Sequence, residues 1–234
     1  MAYEKLYNEI YAVVVLRYFW AEYKPGFVKS ESPDWMNRTM DFGMEVSQAL
    51  LPYDGQSESF LEYYLGKRQE EIPEAAQEKY AGKLYFYNGR LWALLNGEED
   101  PASYVEKVQF RFECKLKKLN SNYTRCGCNA LYLYVHAQPE TVSDVAAIMQ
   151  KMKEIQDRET YRFQKVFLDC ESCVYILDFE QETLESIRIP EKARLFLEGK
   201  TEKLRNQEEW SNEADFEAAL SMFTTTSESP ATLK

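Results

Sequence analysis

Two short segments carry residue types and spacings that could do chemistry. The first is Glu31-Ser32-Pro33-Asp34-Trp35, the second Phe42-Gly43-Met44-Glu45-Val46-Ser47-Gln48-Ala49. An acid after a proline at a strand edge, followed by an acid inside a glycine-led strand, brings two carboxylates to one point. Paired carboxylates hold a divalent cation beside a phosphate, where the ion activates water and neutralises developing charge. The plainer reading of the same residues is a Pro-Asp turn and a half-buried strand whose Glu45 faces solvent. Gly43 to Gln48 alternates in character, so Met44 and Val46 belong to one face and Glu45 and Ser47 to the other.

Several elements must position these acids. The 3–4 spacing of Leu6, Ile10, Val13, Val14 and Arg17 predicts a helix over 4–23, stopped by Pro25-Gly26. Short strands are expected at 26–31 and 33–38, and a longer one at 42–48. Residues 57–79 are helical in type and acidic. Lys83 to Leu95 reads as a hairpin around Asn88-Gly89, and the whole stretch at about 52–98 reads as an insertion. Asp100-Pro101 is a helix start, and the helix is expected to run to Leu119. A strand follows at 130–136, a helix at 140–156, and strands at 165–168 and 173–178. The strand–helix–strand order favours parallel pairing. Further helices are expected at 190–199 and 211–223, before a polar, disordered tail at 224–234. In domain terms, residues 1–180 form the α/β core, 181–223 a C-terminal helical extension, and 224–234 the tail.

The 101–119 helix has two stripes. Val105, Val108, Phe112, Leu116 and Leu119 form the apolar one. Lys107, Arg111, Lys115 and Lys118 fall within about 80° of each other beside it, which puts ammonium groups at the rim of a sheet. From Ser103 to Arg125, six bases (Lys107, Arg111, Lys115, Lys117, Lys118, Arg125) face two acids (Glu106, Glu113), a net of +4. The chain as a whole carries 28 basic and 39 acidic residues, net −11. That opposes non-specific nucleic-acid binding, so any DNA contact must be local, through Lys107, Arg111, Lys115 and Lys118. The plain alternative is a solvated helix face.

The other chemistry-bearing residues point less far. Five cysteines, an odd number in 234 residues, do not suggest a disulfide scaffold and fit a reducing cytoplasm. Cys126-Gly-Cys128 and Cys170-Glu-Ser-Cys173 are four sulfurs, but the expected topology puts the pairs at opposite sheet edges, against zinc. His136 is the sole histidine, which excludes multi-histidine sites. Tyr85, Tyr87, Tyr132 and Tyr134 have strand periodicity and read as sheet packing. No apolar run approaches the ~20 residues of a membrane span, and no signal peptide is read.

The order helix, three strands, helix, strand (4–23; 26–31, 33–38, 42–48; 101–119; 130–136), with Pro33-Asp34 and Gly43-Met44-Glu45-Val46-Ser47, resembles the PD-(D/E)XK nucleases. Lys115-Leu-Lys-Lys118-Leu-Asn-Ser-Asn-Tyr123 and Leu131-Tyr-Leu-Tyr-Val135 are similar to the helix and fourth strand of their divergent members. The resemblance implies a restriction-endonuclease-like α/β fold: a mixed central sheet flanked by helices, with an αβββαβ core. It implies a Mg²⁺- or Mn²⁺-dependent phosphodiesterase acting on DNA, with Asp34 and Glu45 as metal ligands and Glu9 as an additional acid. The family's lysine, two residues after the strand glutamate, is replaced here by Ser47. Either Ser47 or Gln48 orients water by hydrogen bonding, or a lysine of the basic helix substitutes, Lys115 before Lys118. The competing reading is an inactive member of the same or a related fold, a protein- or nucleic-acid-binding module whose acidic segments bind a protein partner or exclude nucleic acid, with a homodimer as a further option.

Overall fold

Almost every side of the first helix is apolar, and it behaves accordingly. In the computed structural model α1 spans Ala2–Phe19, and Ile10 to Leu16 are all buried without interruption. A helix that is apolar all round lies inside its domain. Here α1 is held between the central sheet and the last described helix. The structure describes residues 2–20, 23, 26–50, 52–94, 101–121, 123–135 and 141–206. His136 and the expected elements at 211–223 and 224–234 lie outside the described residues.

The strands are β1 (Phe27–Lys29), β2 (Trp35–Asn37) and β3 (Phe42–Gln48), then, in an insertion, β4 (Leu84–Tyr87) and β5 (Arg90–Leu94). After these come β6 (Cys128–Tyr134), β7 (Lys165–Asp169), β8 (Cys173–Asp178) and β9 (Thr183–Arg188). The main sheet has the order β1-β2-β3-β6-β7-β8-β9. β3, β6 and β7 are parallel, while β1–β2–β3 and β7–β8–β9 are antiparallel. The parallel centre is buried on both faces, as parallel strands require. This is an α/β fold with a central mixed sheet flanked by helices.

Side-chain alternation sorts the core into two layers. Met44, Val46, Ala130, Tyr132 and Phe167 meet α1 and α6 (Glu191–Arg205), which contributes Ala193, Leu197 and Leu204. Leu131, Leu133, Val166 and Leu168 meet α4 (Pro101–Asn120) and α5 (Val142–Gln156). The expected stripe of α4 is the buried one: Val108, Phe112, Leu116 and Leu119.

Four expectations need correction. The boundary at 181 falls within the β8–β9 hairpin, and β9 extends the main sheet while α6 packs on α1. β9 and α6, the described elements after residue 180, therefore pack with the core. α6 also passes through Gly199 to Arg205, since Leu204 still has apolar partners to reach. The acidic 57–79 stretch is broken rather than continuous. α2 (Pro52–Tyr64) ends at Gly66, whose φ is +79°, and α3 (Glu74–Lys79) starts after Pro73. Finally, Tyr85 and Tyr87 lie outside the core. With Trp92 they stand exposed on the outer face of the β4–β5 hairpin, whose inner face covers Phe60, Ile72 and Tyr80.

Candidate active site

The site begins with strand register. β2 and β3 pair as Trp35↔Met44 and Met36↔Gly43. Continuing that register sets Asp34 opposite Glu45, where directly facing Cβ atoms stand ~5 Å apart. Both acids are buried, each 1% exposed. Asp34 Oδ2 accepts from the Val46 backbone N–H at 2.8 Å. The turn before it is closed by Ser30 N–H donating to the Asp34 carbonyl at 2.9 Å. Lys29 Nζ reaches the same carbonyl at 3.3 Å and the Glu9 carboxylate at 2.5 Å. The Trp35 indole N–H donates to the Glu9 carbonyl at 2.8 Å, tying α1 to the Asp34 strand.

Gly43 is required by close approach. A Cβ there would stand 2.8 Å from Cys126 Sγ and 2.9 Å from Pro33 Cγ. Gly43→Ala is expected to lower stability by about 1–3 kcal/mol through overpacking. It should also push on the turn that holds Asp34. Cys126→Ala in the same chain should restore part of the loss by removing one of the two clashes. Urea unfolding of both variants checks this; an unchanged midpoint for Gly43→Ala would refute it.

Glu45 collects three donors. Lys115 Nζ at 2.7 Å and Lys118 Nζ at 2.8 Å share its Oε1, and the Tyr123 hydroxyl donates to Oε2 at 2.7 Å. Lys115 and Lys118 are one turn apart on α4, so both ammonium groups descend from the helix rim to one oxygen. Lys115 is 17% exposed and Lys118 40%. Lys118 therefore touches both the buried carboxylate and solvent.

The two acids titrate in opposite directions. Burial, then the neighbouring Glu45 and Glu9 charges, pushes the Asp34 carboxyl up to about 6, against the Val46 hydrogen bond and Lys29. Burial also pushes Glu45 up, but Lys115, Lys118 and Tyr123 together outweigh it and hold the carboxyl below its ordinary value. Glu45 is held as a carboxylate by its three donors, whereas the Asp34 carboxyl titrates above its ordinary range. Burial and Glu45 raise the Tyr123 phenol, which stays a protonated donor.

Not every expected site residue comes to this point. Ser47 shares the Glu45 face, one pleat repeat away at ~6.6 Å. Gln48 pairs with Tyr134, which packs in the α1 layer, so its side chain belongs to the opposite face. Arg111 donates to the Leu50 carbonyl at 3.1 Å, at the exit of β3. Lys107 is two helical turns from Lys115, ~12 Å along α4. Of the four-residue basic stripe, Lys115 and Lys118 reach the acids. Lys29 and Tyr123 have site contacts to which no short motif points. Tyr123 is 78 positions from Glu45. The cysteine pairs lie at opposite ends of parallel β6 and β7, and none of these cysteines forms a disulfide.

Among the described residues no group of three or more His, Cys, Asp or Glu is placed to hold a metal ion. Nor is any helix among them long and apolar enough to cross a membrane. No family model, no curated protein and no solved structure matches the chain.

Proposed function

We propose that this chain is a divergent PD-(D/E)XK nuclease that hydrolyses DNA phosphodiesters with Mg²⁺ or Mn²⁺. The observation that carries the reading is Glu45, held by two α4 lysines across from a buried Asp34 whose carboxyl is raised. The strand arrangement supports it: antiparallel β1–β2–β3, then α4, then β6 parallel to β3. The donor set is all oxygen, and Mg²⁺ beside a phosphate needs one or two carboxylates. Asp34 is raised first by burial and then by the neighbouring Glu45 and Glu9 charges, and a cation bound there would relieve both, so the residues fit the ion.

Asp34 and Glu45 would hold the metal, which supplies water activation and neutralises charge on the phosphate. The protein's own groups do the rest. Tyr123 fixes the Glu45 carboxylate plane through Oε2. Lys115, the more buried ammonium, takes the charge role that Ser47 cannot. Lys118 lies at the rim, where it meets a phosphodiester. Asp34 must be ionised to bind a cation, so affinity is expected to fall about tenfold per pH unit below ~6.

Asp34→Asn separates this reading from a structural one. A raised carboxyl pKa means the folded state holds the proton more tightly than the unfolded chain. Asp34 therefore costs stability above about 6 and the cost is relieved as pH falls through that value. The amide removes the cost and still accepts from Val46. We expect Asp34→Asn to raise stability at pH 7.5, by roughly 1–3 kcal/mol, while Mn²⁺ heat and Mg²⁺-dependent cleavage disappear. Calorimetric titration of Mn²⁺ with urea unfolding reads both. A destabilised variant that still binds Mn²⁺ would sink the assignment.

One observation favours a second reading, an inactive module on the same fold. Both Glu45 oxygens already have partners, which a purely structural ion cluster would also show. Absence of Mn²⁺ binding by the parent protein selects that alternative.

A further inference from the structure

The loop that leaves α4 carries a second feature beside the carboxylates. The Arg125 guanidinium carbon sits 3.8 Å from the Tyr161 ring centroid. Both residues are exposed, Tyr161 to 39%. The stack is built into the fold. Asn120, the last residue of α4, donates to the Tyr161 carbonyl at 2.8 Å and accepts from the Tyr161 N–H at 2.9 Å. Arg125 donates back to the Ser121 carbonyl at 3.4 Å. The same loop reaches the site twice: Tyr123 bonds Glu45, and the Thr124 N–H donates to the Ser32 carbonyl, next to the Asp34 turn, at 3.2 Å. Arg125 is two residues from Tyr123, at most about 7 Å of chain.

From this geometry we infer that Arg125 and Tyr161 form a platform on which an unpaired base of the substrate stacks, next to the scissile phosphate. This rests on the nuclease reading and narrows its substrate to DNA with a single-stranded segment at the cut. Planar guanidinium and ring faces receive exposed bases, which a stacked duplex does not offer. The charge balance agrees. The +4 of residues 103–125 is local in a chain of net −11, so the favourable contact is with a few nucleotides, not a long duplex footprint. Lys118 and the exposed Lys117 supply the phosphate contacts beside the platform.

The test is fluorescence anisotropy in EDTA, which removes cleavage from the readout. The probes are a labelled 12-nucleotide single strand, the same sequence as a blunt duplex, and that duplex with a single-stranded overhang. The strand and the overhang should bind more tightly than the blunt duplex. Arg125→Ala and Tyr161→Ala should each weaken strand binding ~5- to 100-fold, with Tyr161→Phe near the parent. Arg125→Lys keeps the charge and loses the plane, so it should retain the parent's salt dependence without its affinity. Full rescue by Arg125→Lys, equal binding of strand and duplex, unchanged binding by Arg125→Ala, or no binding of any probe overturns the inference. The nuclease reading fails separately: platform-dependent strand binding without Mg²⁺-dependent cleavage would keep the platform and remove the activity.

Discussion

Glu45→Gln is expected, on the proposed nuclease reading, to abolish Mg²⁺-dependent DNA cleavage, by at least ~10³-fold, equivalent to ~4 kcal/mol of lost transition-state stabilisation. The substitution keeps the shape of the side chain and removes its charge, and a neutral amide is a poor partner for a hard cation. It also leaves three donors, from Lys115, Lys118 and Tyr123, facing a group with one acceptor oxygen. Breaking a buried ion pair from one side costs about 3–5 kcal/mol. Here the cost should be smaller, about 1–3 kcal/mol, because Lys118 is 40% exposed and can turn to water. The variant should therefore stay folded but less stable, the reverse of Asp34→Asn. Nicking of supercoiled plasmid and a urea midpoint measure both quantities. Residual cleavage within threefold of the parent would remove Glu45 from the site.

Lys115→Ala combined with Lys118→Ala should have the second largest effect. The two ammonium groups share Glu45 Oε1 at 2.7 and 2.8 Å, so either can partly replace the other. Each single variant is expected to lose ~10-fold in rate. The double variant should lose ~10³-fold or more, beyond the product of the singles, since residues acting as a unit are non-additive. A pH profile gives an independent readout. In the parent, Glu45 titrates below its ordinary value, so it contributes stability at neutral pH that is lost as pH falls through the folded pKa. Without the lysines, burial is the largest influence left and the carboxyl moves up. The acid limb of both stability and activity should then shift toward neutral pH in the double variant. An unshifted limb, or strictly multiplicative losses, would count against a shared role.

The local signals in the chain were readable to different depths. Asn88-Gly89 marked a hairpin, and Asn88 and Gly89 both take positive φ there. The apolar stripe of α4 was legible because its period matches the helix and one face is buried. The 57–79 stretch misled because acidic, helix-prone residues persist across Gly66 and Pro73, where backbone geometry ends the helix. β9 was hidden for another reason. Thr183 to Arg188 is an edge strand with its side chains mostly exposed, so it lacks the apolar alternation of a buried strand.

Residue type, spacing and the family resemblance suggested the two acids as a pair, beside a plainer reading in which Glu45 faces solvent, and Ser47 in place of a lysine was legible directly. Alternation along β3 determined that Glu45 and Ser47 share a face. Gln48 follows from the same rule and lies on the other face. What only the tertiary structure decided is which cations reach Glu45. Four residues of the α4 stripe are equivalent by helical angle, but the β3–α4 crossing selects Lys115 and Lys118 by height along the helix and leaves Arg111 at the β3 exit. Tyr123 and Lys29 join from loops and strands whose spacing from the acids carries no local signal. The opposite titration of Asp34 and Glu45 is likewise a tertiary property. The two carboxylates are chemically alike and equally buried, and they differ because two ammonium groups reach one oxygen of Glu45 while the neighbouring acids Glu45 and Glu9 raise Asp34.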